Sequence, residues 1–195
     1  MNSQSIFCAI CLFATLSFAS DKLPLTSNFK YMGLTYHPGG GSNVEGKQYP
    51  RAWDKGGYFV QQVGIETDLD YKWKPWLHAR ATFALYKDCI DAWSGWIGLM
   101  PRLNHEFDFG LSVNFGIGPS IIWRESWWGT DYFDYNGDFF YGKENTGEAI
   151  QWAFLWYGGN IELSWDFKNG HGIVYSLIPG YPQVFTSSIG WRMDW

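Results

Sequence analysis

The stretch FDFGLSVNFGIG, from Phe107 to Gly118, alternates without a break between large apolar residues and small or polar ones. Successive side chains of a β-strand point to opposite faces, so this pattern predicts a strand with one apolar and one polar face. The C-terminal segment 188–195 repeats the pattern and ends on Trp195. Further strands are predicted at 30–37, 59–69, 77–86, 93–104, 150–166 and 172–178, which makes eight in all.

The segment 150–166 changes phase in its middle. Apolar residues fall on even positions up to Trp156 and on odd positions from Ile161 onward, with Gly158 and Gly159 between them. A β-bulge inserts extra residues into one strand and shifts the alternation in this way. The sequence therefore predicts a bulge at the two glycines.

The composition of the chain narrows the choice of fold. The 195 residues include 21% aromatic and 17% charged residues and carry a formal charge of −5. A negative chain of this kind is not held to nucleic acid by a basic surface, so no nucleic-acid partner is expected. After the first twenty residues no apolar run approaches the roughly 20 residues that a membrane helix needs.

The polar face of each long strand carries Asp, Glu, Arg, Asn or Gly residues. A small soluble core could not bury so many charges, although a soluble sandwich or barrel would also show alternation. A membrane barrel turns its apolar face to lipid and its polar face to the lumen, with aromatic belts at the interfaces. We therefore expect an all-β fold, an eight-stranded antiparallel transmembrane β-barrel of the outer-membrane type.

The N-terminus resembles an export signal. The apolar stretch from Ile6 to Ala19 is too short to span a membrane, and small residues at Ser17 and Ala19 allow cleavage after Ala19. An N-terminal helix of a soluble protein is the alternative. We expect a signal peptide at 1–19 and a single barrel domain at 20–195. Cleavage would leave Cys89 as a lone thiol, which burial would have to protect from oxidation.

Loop lengths predict the topology. Long loops are expected at 38–56 and 119–149, and short connections near 72–76, 104–106 and 168–170. Outer-membrane barrels place short turns in the periplasm and long loops outside, so both termini are expected in the periplasm of a Gram-negative bacterium.

This topology brings three reactive side chains to the extracellular rim. His37 ends the first strand, and Asp88 and Cys89 end the third. A base, an orienting carboxylate and a nucleophile are the components of an acyl-transfer site. The alternative is structural, with His37 ending a strand before Pro38 and Asp88 serving as a rim charge. The histidines lack metal-ligand spacing, and no metal or cofactor is expected.

The sequence also resembles a known family. LYKDCIDAW at 85–93, Trp96-Ile97-Gly98 after it, LIPG at 177–180 and the aromatic terminus at 191–195 resemble the lipid A palmitoyltransferases, the PagP-like enzymes. Those enzymes are eight-stranded outer-membrane barrels that move a palmitoyl chain from a phospholipid to lipid A. The resemblance implies that His37, Asp88 and Cys89 are the catalytic residues and that the barrel interior is an acyl-chain pocket.

Three features depart from the family pattern. The family's serine is replaced by Cys89, its N-terminal amphipathic helix has no room in 20–30, and Met100 stands where the family has a glycine. If Gly98 and Met100 line the acyl pocket, the methionine fills its floor, which implies an acyl chain shorter than palmitoyl. Pro179 cannot donate a hydrogen bond and would loosen the wall where a lipid enters.

The leading hypothesis is an outer-membrane acyltransferase with a phospholipid donor and a lipid A or related glycolipid acceptor, acting as a monomer. A non-enzymatic barrel of the same shape, either lipid-binding or structural, is the main alternative. A lipid A deacylase would need the same base and pocket, and a soluble lipocalin-like binder is the remaining possibility.

Overall fold

A computed structural model describes residues 24–38, 49–127, 139–140, 143–144, 148–167, 169–180 and 184–195. The predicted signal peptide at 1–19 lies outside these residues. The strands are β1 (Leu25–Tyr36), β2 (Phe59–Lys74), β3 (Leu77–Lys87), β4 (Trp93–Glu106), β5 (Leu111–Glu125), β6 (Phe139–Phe140), β7 (Lys143–Glu144), β8 (Ile150–Asp166), β9 (His171–Gly180) and β10 (Val184–Asp194).

The described strands form one closed antiparallel barrel in the order β1-β10-β9-β8-β5-β4-β3-β2. The short pair β6-β7 forms a separate hairpin in the connection between β5 and β8. Pairing of β1 with β10 closes the barrel and leaves no outer sheet edge at that point. The predicted eight-stranded antiparallel barrel is therefore confirmed.

Several predicted boundaries were wrong; β1 and β10 begin earlier than predicted, and 104–106 belongs to β4. The alternating stretch from Phe107 onward is not all strand, because 107–110 forms the turn between β4 and β5. Gly110 has a φ of 88°, a backbone conformation that residues with a Cβ rarely adopt. The predicted long loop at 119–149 is also shorter, since β5 continues to Glu125. At 107–110 the turn conformation overrides the alternating pattern, and β5 continues beyond the boundary that the pattern predicted.

The predicted change of phase in the sixth barrel strand is a shift in register. Ser120 of β5 pairs with Leu155 of β8, whereas Gly118 pairs with Gly158. Trp156 and Tyr157 of β8 therefore stand opposite the single residue Pro119 of β5, a bulge with one extra residue directly before the two glycines where it was predicted. The side chains of Trp156 and Tyr157 are strongly exposed.

The barrel is apolar outside and polar inside. Exposed aromatic and aliphatic side chains cover the outward faces of the strands, whereas buried polar side chains face the lumen. This is the reverse of a soluble barrel and matches the arrangement of outer-membrane barrels. No helix among the described residues is long and apolar enough to cross a membrane.

A network of buried charges crosses the lumen. Arg80 binds both carboxylate oxygens of Asp70 at 2.8 and 2.7 Å and also contacts Glu162 at 2.8 Å. Lys30 contacts Glu66 at 2.6 Å and Asp68 at 2.7 Å. The network is completed by Arg102, which pairs with Asp70 and Glu162, and by Ser176 and Ser188, which donate to Glu162 and Glu66.

These residues lie on strands all around the barrel, so the network joins opposite walls. Each charge is almost fully removed from solvent and has at least one opposite charge within reach. A buried charge is tolerated only when it is paired and hydrogen-bonded. We name this set the lumen network: Lys30, Glu66, Asp68, Asp70, Arg80, Arg102 and Glu162.

We expect Glu162→Leu to lower the free energy of unfolding by about 3–5 kcal/mol, because it leaves Arg80 and Arg102 buried with one carboxylate fewer. The measurement is urea unfolding of protein refolded in detergent. Glu106→Leu removes an exposed carboxylate and should change the free energy by about 0.5 kcal/mol or less. Equal effects of the two variants would show that the network does not stabilise the barrel.

Candidate functional site

Asp88 organises the turn between β3 and β4. Its Oδ1 accepts hydrogen bonds from the backbone N–H groups of Ile90 at 3.1 Å and Ala92 at 2.9 Å. Its Oδ2 accepts from the Ser94 hydroxyl at 3.1 Å and the Trp127 indole N–H at 2.8 Å. Burial raises the pKa of the carboxyl, and these donors oppose the shift. The side chain therefore holds its own turn together.

Cys89 lies inside a small apolar cluster at the same rim. The cluster contains Tyr49, Val60, Ile90 and Ala92, and the cysteine is 5% exposed. Burial raises the pKa of the thiol well above its ordinary value. A nucleophilic cysteine needs a lowered pKa and access to its substrate, and Cys89 has neither in this arrangement.

His37 follows β1 and reaches the same cluster through Tyr49. The centres of the two rings are 5.5 Å apart. The backbone N–H of His37 donates to the backbone carbonyl of Tyr58 at 2.8 Å. Burial lowers the pKa of the imidazole, which keeps it neutral at pH 7. Within the described part of the chain, the buried Nε2 atom has no hydrogen-bond partner. His37 therefore retains unused hydrogen-bonding capacity at this rim, as does Nη1 of Arg51 among the described residues.

The segment 49–58 covers this rim. Ala52 bridges Val60 in antiparallel fashion, and Ala52 and Trp127 pack on the apolar cluster. Arg51 forms an ion pair with Asp91, which has a φ of 74°. The loop after β1 and the turn after β3 are thus joined by both apolar and ionic contacts. The structure brings the loops that carry His37, Asp88 and Cys89 together, with Asp88 directed into its own turn.

Sequence reasoning missed Tyr49 and Trp127. Tyr49 contacts both His37 and the cysteine cluster, and burial raises the pKa of its hydroxyl. Trp127 donates to Asp88 and also stacks on Arg124, whose guanidinium lies 3.9 Å from the ring centre. Both residues lie in connecting segments without alternation, so no periodic signal marks them.

Gly98 and Met100 lie on the lumen face of β4. A Cβ on Gly116, on the neighbouring β5, would lie 2.7 Å from the Met100 sulfur. Met100 therefore packs into a hollow on β5 that exists because glycine occupies position 116. The charged Arg102 follows two residues later on the same face, so Met100 borders the lumen network.

Pro179 lies at an incomplete seam in the barrel wall. It pairs with Phe185 of β10, but β9 pairs with β8 only from Ile161–Leu177 to Asp166–Gly172. In the described part of the chain, residues 150–155 and 158–160 of β8 are paired with β5 and not with β9. We name this gap the β8–β9 seam.

The comparisons with known proteins concern the fold. No protein-family model matches the chain, and a comparison with curated proteins gives no significant match. Neisserial surface protein A is similar in structure, with a TM-score of 0.53 and 11% identity over 90% of this chain and 100% of that chain. The N-terminal β-barrel domain of Pseudomonas aeruginosa OprF has a TM-score of 0.50 and 10% identity over the same shares. The chain thus has the fold of eight-stranded outer-membrane barrels.

The role of Asp88 can be tested through Cys89. We expect Asp88→Ala to raise the rate of Cys89 labelling by a maleimide about tenfold or more, because the turn loses hydrogen bonds worth about 1 kcal/mol each. Labelling is followed by mass spectrometry on refolded protein. Asp108→Ala, in an exposed turn at the other end of the barrel, should leave Cys89 protected. Unchanged labelling of Asp88→Ala would contradict the structural role.

Proposed function

We propose that the chain is a non-enzymatic outer-membrane barrel that holds a lipid acyl chain in the outer half of its lumen. The observation that carries this proposal is the β8–β9 seam. Backbone hydrogen bonds hold a barrel wall closed. The described parts of β8 and β9 lack these bonds along the part of the seam that is nearer the long connections. Pro179 has no N–H to donate there. The wall can therefore widen at this point to admit a lipid tail.

The lining of the outer lumen is suited to an acyl chain. Ala84, Trp96, Ile122 and Ala153 are neighbours in register across β3, β4, β5 and β8, and their positions alternate with outward-facing residues. Trp96 and Ile122 are only partly buried, as is Leu155 beside the seam. Apolar side chains that retain exposed surface provide the contact that a hydrocarbon tail requires.

The lumen network closes the opposite side of this compartment. A hydrocarbon chain cannot pass paired charges without separating them from their partners. The bound chain would therefore end near Met100, which supports a chain shorter than palmitoyl. The position of the long connections at this end supports an external location for it, with both termini in the periplasm.

Blocking the compartment should abolish lipid binding. We expect Ala153→Phe, which adds a ring to the lumen face of β8, to remove co-purifying lipid that native mass spectrometry detects on the wild type. Ala81→Phe adds the same ring to the outward face of β3 and should retain the lipid. Wild-type protein that carries no lipid, or Ala153→Phe that carries as much as wild type, would overturn the proposal. Heat-modifiable gel mobility checks that both variants fold.

A lipid A acyltransferase is a second candidate, supported by the Nε2 of His37, which has no partner among the described residues, and by the distant resemblance to PagP-like enzymes. In this candidate, His37 would accept a proton from a lipid hydroxyl at the rim. The arrangement of Asp88 and Cys89 does not favour it, because the carboxylate is bound within its turn and the thiol is buried. If this activity exists, His37 is its base, and the roles of Asp88 and Cys89 remain predictions.

Lipid A mass spectra separate the two candidates. Cells that express an active acyltransferase should contain a lipid A species heavier by one acyl chain, and His37→Ala should eliminate it. His105→Ala changes an exposed histidine at the other end of the barrel and should have no effect. A lighter species would indicate a deacylase. An unchanged spectrum with folded protein in the outer membrane would exclude both reactions and leave the binding function.

A further inference from the structure

The end of the barrel with the short turns contains a cavity of about 410 Å³. Residues that line it include His78, Asn104, Ser112 and Phe167. We name this cavity the vestibule. It lies on the opposite side of the lumen network from the acyl compartment proposed above, and its function is independent of that proposal. Its volume is within the range of about 300–1,000 Å³ that is typical of small-molecule sites.

Among the described residues, buried side chains with unpartnered polar atoms lie in the lining of the vestibule or next to it. His78 is 4% exposed and lines the cavity, and its Nδ1 atom has no hydrogen-bond partner among the described residues. The same holds for both amide atoms of Asn114, which is 1% exposed, and for Nε of Arg102. Arg102 pairs in register with His78, and Asn114 pairs with Asn104, so these atoms lie beside residues that line the vestibule.

The types of these atoms define the ligand chemistry. Oδ1 of Asn114 requires a donor, whereas Nδ2 of Asn114 and Nε of Arg102 require acceptors. An ammonium group supplies donors alone, and a carboxylate or phosphate oxygen supplies acceptors alone. A hydroxyl group supplies both. Because a buried polar group without a partner lowers stability, a ligand that satisfies several such groups gains affinity.

Four of the five charged residues that line the vestibule form two ion pairs, and the fifth, Glu106, is exposed to solvent. Lys72 contacts Asp194 at 3.0 Å, and Arg192 contacts Asp166 at 2.9 Å. A ligand therefore needs no net charge to enter, and a charged one would have to compete with these pairs. Phe167 adds apolar surface to the lining. We propose that the vestibule binds an uncharged polyhydroxylated ligand, a mono- or disaccharide.

The experiment is an NMR titration of the full chain refolded in detergent micelles, with glucose and cellobiose as probes. The side-chain amide resonances of Asn114 should shift saturably with either sugar, and cellobiose should bind more tightly. Putrescine and citrate, which supply donors or acceptors alone, should bind about tenfold more weakly or worse, as expected for one or two unmade hydrogen bonds. Equal binding of a charged probe would overturn the proposed ligand class.

The variants locate the site. Asn114→Leu should weaken sugar binding about tenfold or more, because it removes two hydrogen-bonding atoms. Asn160→Leu is the matched control. Asn160 is also buried in the lumen, and its Oδ1 has no partner among the described residues, but it lies beside Gly116 and does not line the vestibule. His78→Phe provides the same test if Asn114→Leu fails to refold. If no sugar shifts the wild-type resonances, the vestibule holds water only and the proposal fails.

Discussion

The pairing of charges inside the lumen is the constraint on which the rest of the barrel depends. Arg80 and Arg102 both meet Asp70 and Glu162, and Lys30 joins Glu66 and Asp68 to the same group. A membrane barrel has no apolar core of its own, because its apolar side chains face lipid. The ion pairs replace that core. Their partners are fixed by strand register, so a slip of one residue in a strand would turn the charges of that strand toward lipid.

The lumen network also divides the barrel into two compartments of different chemistry. On the side of the long connections, the lumen has apolar side chains such as Trp96 and Ile122 and a wall that is incomplete beside Pro179. On the side of the short turns, it has the polar vestibule with His78 and unsatisfied amide groups near it. The same buried charges can thus separate a hydrocarbon tail on the side of the long connections from a sugar in the vestibule.

The alternation of apolar and polar residues was sufficient to predict the barrel, its strand number and the bulge before Ile161, because burial on a pleated strand has a period of two. It could not locate the turn at 107–110, where alternation continues through residues that Gly110 forces out of the strand. Nor could it locate the lumen network. Which charges meet depends on the stagger between neighbouring strands. The alternation within a single strand carries no information on this stagger.

The rim site shows most clearly why residue type alone does not determine chemistry. A histidine, a carboxylate and a thiol follow two nearby strands, as an acyl-transfer site would require. The carboxylate of Asp88 accepts four hydrogen bonds within its own rim, and the thiol of Cys89 is packed among apolar side chains. Both residues therefore act on the structure of the loop. His37 differs because its buried Nε2 is unsatisfied among the described residues. A hypothesis of catalysis at this rim therefore depends on His37 and on the lipid that would reach it.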